Sequence, residues 1–174
     1  MLHTTPAPTE FLDTIAGLPI HPLVVHVAVV VLPLSAMGLL AIMLMPKWRA
    51  PFGWLTLGGL AVGAAAAVAA AQSGEALAER VGEPERHADL GKSLEILAPV
   101  LLVVAVVWFL VQRQAAKSEG EVLRVLGAGL EMIAGIATLA LAFGTLVLVT
   151  AVGHSGAQAA WGGVVNSQTG GGDD

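Results

Sequence analysis

The chain has no cysteine and very little charge. Without cysteine there is no disulfide, no cysteine-ligated iron–sulfur cluster and no covalently attached c-type haem, which needs a Cys-x-x-Cys-His motif. A haem in this chain would be held non-covalently, through histidine or methionine. The missing disulfides say nothing about compartment for a chain that lies mostly in lipid. Only 12% of the residues are Asp, Glu, Lys or Arg, where a water-soluble domain carries about a quarter. Residues 1–20 also lack the pattern of a secretory leader: they hold Glu10 and Asp13, no Lys or Arg, and no compact apolar run before a small-residue cleavage site. They read as an extracytoplasmic tail, with Phe11, Leu12, Ile15 and Leu18 lying along the membrane surface. A nucleophile–base pattern is absent as well, since Ser155 is only a sequence neighbour of His154, so no enzyme activity is expected.

What is present is apolar. Of the 174 residues 56% are hydrophobic, and the mean hydropathy is +0.80. Four stretches of about twenty residues have the length and composition of transmembrane helices: Pro22–Met45, Phe52–Ala71, Leu94–Val111 and Met132–Val152. The expected fold is all-α, a four-helix transmembrane bundle running up-down-up-down. Residues 21–154 form the bundle, and 155–174 form a Gly-rich extracytoplasmic tail. No separate soluble domain fits in the remainder.

Cations near segment ends set orientation. Lys47, Arg49, Arg113, Lys117 and Arg124 stand on one side, five of the eight Lys and Arg residues, with only three of the 13 acids. That side is expected to be cytoplasmic. Both termini then face outward in the cell membrane, together with ten acids, and such an acidic outer face argues against a nucleic-acid partner.

Within the segments, Pro22 suits the first turn of a helix, where its missing N–H would be unpaired anyway. His21 then takes the cap position. Pro33 interrupts the same helix and frees the carbonyl of Val29. Met45-Pro46-Lys47-Trp48-Arg49 is an interfacial stop with an aromatic anchor and cations. The second segment is rich in Gly and Ala. Its Gly59–Gly63 spacing allows close helix approach, either inside the bundle or in a homo-oligomer. Residues Gln72–Arg86 read as an acidic outer loop. The third helix is expected to begin before its apolar run, with His87, Leu90, Gly91 and Leu94 on one inward stripe.

Four histidines, His21, His26, His87 and His154, fall on the same side of the bundle. Counted from the inner ends they lie 24, 19, 24 and 22 residues up their helices. That is a spread of about 7–8 Å in height at roughly 1.5 Å per residue. Imidazole is the side chain best suited to metal ligation and proton transfer near neutral pH. Ionisable groups within a membrane segment are functional candidates by default, and His26 is the one set deepest into an apolar helix. His21 and His26 are separated by about 140° around an ideal helix, which argues against a single four-ligand centre.

Three chemistries fit. One is haem b held between two imidazoles of facing helices, in an apolar gap of the bundle. Helix order and height suggest His26 with His87 as one axial pair and His21 with His154 as a second, with Gly91, Glu95 and Asp89 around them. Another is a zinc, copper or iron site on the same four histidines, with Asp89, Glu75 or Glu95 as ligands or supports. The last is a proton-sensing or structural polar cluster with no cofactor. Met37, Met43 and Met45 lie too near the middle or inner side to take part, and read as packing.

The run Gly17-Leu18-Pro19-Ile20-His21-Pro22-Leu23-Val24-Val25-His26 resembles the opening signature of a bacterial family of predicted membrane proteins, domain of unknown function 2231. The resemblance continues through Ser73-Gly74, His87-Ala88-Asp89-Leu90-Gly91 and Gly153-His154-Ser155-Gly156, and it covers nearly the whole membrane region. It implies importance for His21, His26, His87 and His154. Some members of that family continue into a Rieske-type iron–sulfur domain. The resemblance therefore implies a redox setting and an extracytoplasmic redox partner, although this chain ends in Val164–Asp174 with no cysteines.

Overall fold

The computed structural model describes residues 14–15, 18–81, 85–115 and 121–169, with side chains over 20–78, 85–115 and 125–162. The tail residues Phe11 and Leu12, His3 and residues 170–174 lie outside the described residues. Two short strands, β1 (Thr14–Ile15) and β2 (Leu18–Pro19), pair antiparallel ahead of the first helix. Four helices follow: α1 (Ile20–Leu44), α2 (Arg49–Val81), α3 (Glu85–Ala115) and α4 (Glu121–Thr169). All four are long and apolar enough to cross a membrane. In hydrocarbon every backbone N–H and C=O must be satisfied within the protein, and a helix achieves this alone. Leu55 is 72% exposed and Phe143 66%. Side chains of this kind form the surface that lipid covers, and the chain is a multi-pass membrane protein.

The helices run past the apolar stretches that announce them. Residues 72–81, expected in a loop, extend α2, because Glu75-Ala76-Leu77-Ala78 are strong helix formers that carry the helix on past Gly74. Helix α1 begins at Ile20, so His21 is helical rather than a cap. Helix α4 continues to Thr169, so the segment from 155 to 169 is helix rather than loose tail. Helix α3 does begin ahead of its apolar run, at Glu85.

Helices α1 and α2 form one hairpin, and α3 and α4 form another with the same direction through the membrane. The halves correspond position by position. The buried residues Ala28, Leu32, Leu39 and Ile42 of α1 match buried Leu94, Ala98, Ala105 and Trp108 of α3, each pair 66 residues apart. Pro33 and Pro99 stand at the same separation. Between α2 and α4 the separation is 82: Thr56, Leu60 and Ala67 match Thr138, Ala142 and Val149, all buried. The extra 16 residues of the second hairpin lengthen α3 and α4 at the end remote from the histidines. Parallel repeats of this kind are related by an axis along the membrane normal.

That remote end is locked by aromatic groups and by Arg49. The Arg49 guanidinium donates to the carbonyls of Ile42 and Met43, both at 3.1 Å, which satisfies the otherwise open C-terminus of α1. It also lies 5.3 Å over the Trp108 ring of α3 and 3.8 Å from Glu131 of α4. One side chain thus touches all four helices. Trp54 packs edge-on against Phe109 at 5.2 Å beside it.

The small-residue spacing of α2 is used inside the bundle. A Cβ on Gly63 would lie 2.7 Å from the Leu32 Cα, a backbone atom that cannot step aside. Gly59 faces Ser35 of α1, whereas Gly58 meets open space. Gly63→Ala should therefore force α1 and α2 apart and cost about 1–3 kcal/mol. Gly58→Ala should be neutral or stabilising by up to about 1 kcal/mol, through helix propensity. Thermal unfolding of the two variants in detergent checks this; equal melting temperatures would contradict the close approach.

Candidate functional site

At the histidine end the four helices part around a cavity of about 710 Å³. Its walls are Ala, Val, Leu, Pro and Gly except for five polar side chains: His21, His26, Glu75, His87 and Lys92. The two halves of the chain build it almost equally. Every lining residue of α1 and α2 apart from Val29 has its counterpart in the wall, 66 or 82 residues further on. His21 corresponds in this way to His87, and Gly74 to Gly156.

Each of these two histidines is fixed by the second helix of its own hairpin. His21 Nδ1 lies 2.9 Å from the Ala70 carbonyl oxygen. A carbonyl can only accept, so the proton of the neutral ring sits on Nδ1. Ser73 is buried beside it, donates to the same carbonyl at 3.2 Å and is 3.4 Å from the ring nitrogen. His87 Nδ1 lies 3.1 Å from Ser155 Oγ. Ser155 has one hydroxyl hydrogen, and it is donated to the Val152 carbonyl at 3.0 Å. The hydroxyl therefore accepts from His87, and the His87 proton is on Nδ1 too. Nε2 of each ring has no hydrogen-bond partner among the described residues.

A glycine makes room for each ring. A Cβ on Gly74 would lie 3.0 Å from Cε1 of His21, and one on Gly156 would lie 3.0 Å from Cε1 of His87. Ser-Gly in α2 and Ser-Gly in α4 thus do the same work: the serine faces the imidazole nitrogen, and the glycine gives the ring a flat bed.

The other sequence candidates stand apart from this pair. His26, expected to point into the bundle, is exposed at the edge of the cavity with Nδ1 turned back onto the Pro22 carbonyl of its own helix. His154 is exposed and does not line the cavity, because the 100° step to its neighbour points Ser155 inward instead. Of the expected pairs, His26 and His87 both line the cavity, whereas His154, the expected partner of His21, is off its wall. Gly91 lines the cavity and has open space beside it. Asp89 and Glu95 lie off the wall, Asp89 accepting from Ser93 through its own carbonyl. Among the described residues no group of three or more His, Asp or Glu side chains converges to hold a metal ion.

Sequence reasoning named Ser73-Gly74 and Ser155-Gly156 as parts of the family resemblance but gave them no role, although the repeated Ser-Gly dipeptide was a usable signal. The arrangement can do one thing well: present two oriented, electron-donating nitrogens to a group of low polarity. The structure expects both rings as Nδ1–H tautomers, the reverse of the form free imidazole side chains prefer. Nitrogen-15 NMR of histidine-labelled protein, at a pH where the rings are neutral, checks the assignment. Ser155→Ala should release His87 alone, while Ser73→Ala should leave His21 held by Ala70. Nε2–H signals for both rings in the unaltered protein would refute the assignment.

A family model described as Predicted membrane protein (DUF2231) matches residues 17–169. Comparison with curated proteins and with solved structures gives no match.

Proposed function

The chain belongs to the DUF2231 family of predicted membrane proteins, and from its paired histidines we propose that it binds haem b as a non-enzymatic electron-transfer subunit of the cell membrane. The observation that carries this reading is the pair of histidines, His21 and His87, that line one apolar cavity with each Nδ1 bonded to the second helix of its own hairpin. A ligating imidazole almost always gives its other N–H to a carbonyl or a similar acceptor, which fixes the ring and raises its basicity. Ala70 and Ser155 are acceptors of that kind. Walls of Ala, Val and Gly suit a large flat macrocycle, and the lack, among the described residues, of any converging group of three or more His, Asp or Glu side chains matches axial ligation better than a tetrahedral metal site.

His21 and His87 would hold the iron, which when bound supplies a reversible one-electron centre. The protein's own part is to fix both rings through Nδ1 and to surround them with largely apolar walls. The charge bias around the helix ends supports an outward-facing site with both termini outside. An extracytoplasmic redox protein, such as a Rieske-type protein, is then the natural electron partner.

Detergent-purified protein from haem-replete cells should show a Soret band, with sharp α and β bands on reduction. His21→Ala and His87→Ala should each abolish the reduced bands, and His154→Ala should leave them. A colourless preparation carrying stoichiometric zinc or copper would favour the metal reading instead, and one carrying neither would favour a structural role. Orientation has a separate check: a reporter fused after Asp174 should be active only outside the cytoplasm.

A further inference from the structure

The two hairpins meet along two seams, α2 against α3 and α4 against α1, and the repeat makes these seams equivalent. They are finished differently. At the α2–α3 seam, Glu75 and Lys92 form an ion pair at 3.5 Å. The residues in the same places on the other seam are Ala157 of α4 and His26 of α1. Ala157 offers no charge, and His26 turns Nδ1 back onto Pro22 of its own helix. Of the two seams, α1 against α4 is also the less closely packed. The wall of the cavity follows this difference. Val29 of α1 lines it and is 37% exposed, whereas its counterpart on α3, Glu95, lies off the wall. Gly153 and Ala157 of α4 are likewise both exposed and part of the wall, and a Cβ on Gly153 would meet open space.

We propose that the gap between α1 and α4 is a lateral portal, through which haem b enters and leaves the cavity from the lipid. This inference rests on the haem reading above. Val29 is eight residues further along α1 than His21, about 12 Å, so the gap runs from the water level down into hydrocarbon. Haem b is a flat amphiphile with one apolar edge and two carboxylates on the opposite edge. A slot open along the membrane normal lets it slide in sideways while the carboxylates stay in water, so no charge has to be carried into the bilayer. Val29, Gly153 and Ala157 give that passage a low, apolar rim. The Glu75–Lys92 pair, more than half exposed, adds little stability. Its part is steric: two long side chains fill the seam that Ala157 leaves open on the other side.

The natural chain has no cysteine, so a pair of introduced thiols can be joined without side reactions. The test uses the full-length protein in lipid vesicles, carrying His26→Cys and Ala157→Cys together. The two sulfurs are joined by a short bis-maleimide, and the reference is the same variant with each sulfur capped separately by N-ethylmaleimide. Haem b is supplied in the bilayer, and growth of the Soret band is followed. Bridging α1 to α4 should slow uptake about tenfold or more, as when binding has to wait for a conformational change. The reduced spectrum of the loaded protein should keep its form, because His21 and His87 are untouched. The same bridge between Glu75→Cys and Lys92→Cys should leave the rate as it is. Equal rates whichever seam is bridged, or slowing by the α2–α3 bridge alone, overturns the portal and leaves the haem reading intact. A doubled mass in detergent with an unaffected rate would make the α1–α4 seam an interface between copies, and overturns the portal as well. Failure of the unaltered protein to take up haem b overturns both readings.

Discussion

A ring nitrogen that gives its proton to a fixed acceptor leaves the other nitrogen with nothing to give and a lone pair to offer. That constraint organises the histidine end of this protein. Ala70 and Ser155 take the Nδ1 protons of His21 and His87, and much of the local sequence serves the two contacts. Gly74 and Gly156 allow the rings to lie against the second helix of each hairpin. Ser155 gives its own hydrogen to the Val152 carbonyl and keeps its lone pairs for His87. A Cβ at either glycine would make its ring give by a few tenths of an ångström and crowd it against the acceptor.

The rest of the bundle keeps those contacts in register. In lipid the helices gain little from hydrophobic exclusion, so close packing has to hold them. At the remote end Arg49 and the aromatic group of Trp54, Trp108 and Phe109 join the helices. Midway, Gly63 lets α1 and α2 approach to backbone contact. Toward the histidine end the walls turn to Ala and Gly, and the helices no longer fill the space between them. Tight packing below and small residues above give a cavity of defined shape at one end only. The repeat of the two hairpins places an equivalent imidazole on each side of it.

The four spans were legible in the sequence because an uncharged apolar run of about twenty residues rarely serves any purpose but crossing a bilayer. The common side of the histidines followed from counting. Which histidines meet was not legible. His26 looked inward because it sits in apolar sequence, yet in a membrane helix apolar neighbours face lipid as often as core. His21 looked peripheral on the assumption that the helix began at Pro22; with the start at Ile20 it joins the helical face that meets α2. Ser155 was discounted as a mere neighbour of His154, although one residue along a helix is a 100° turn, enough to exchange outside for inside. The polar run after residue 72 looked like loop because polarity was read as irregularity, while its residues are good helix formers. The signal that would have corrected most of this was the internal repeat. Ser-Gly occurs twice, and the spacing from histidine to proline is 12 residues in both α1 and α3.

The central claim is that His21 and His87, and no other histidine pair, form one binding centre. Low-temperature electron paramagnetic resonance of the oxidised, haem-loaded protein tests it most directly. The account predicts a low-spin ferric signal with two imidazole ligands in the unaltered protein and in the His154→Ala variant. It predicts conversion to a high-spin signal, or loss of the haem, when either His21 or His87 is replaced by alanine. A low-spin signal that survives both of those single replacements and disappears with His26 or His154 would contradict it.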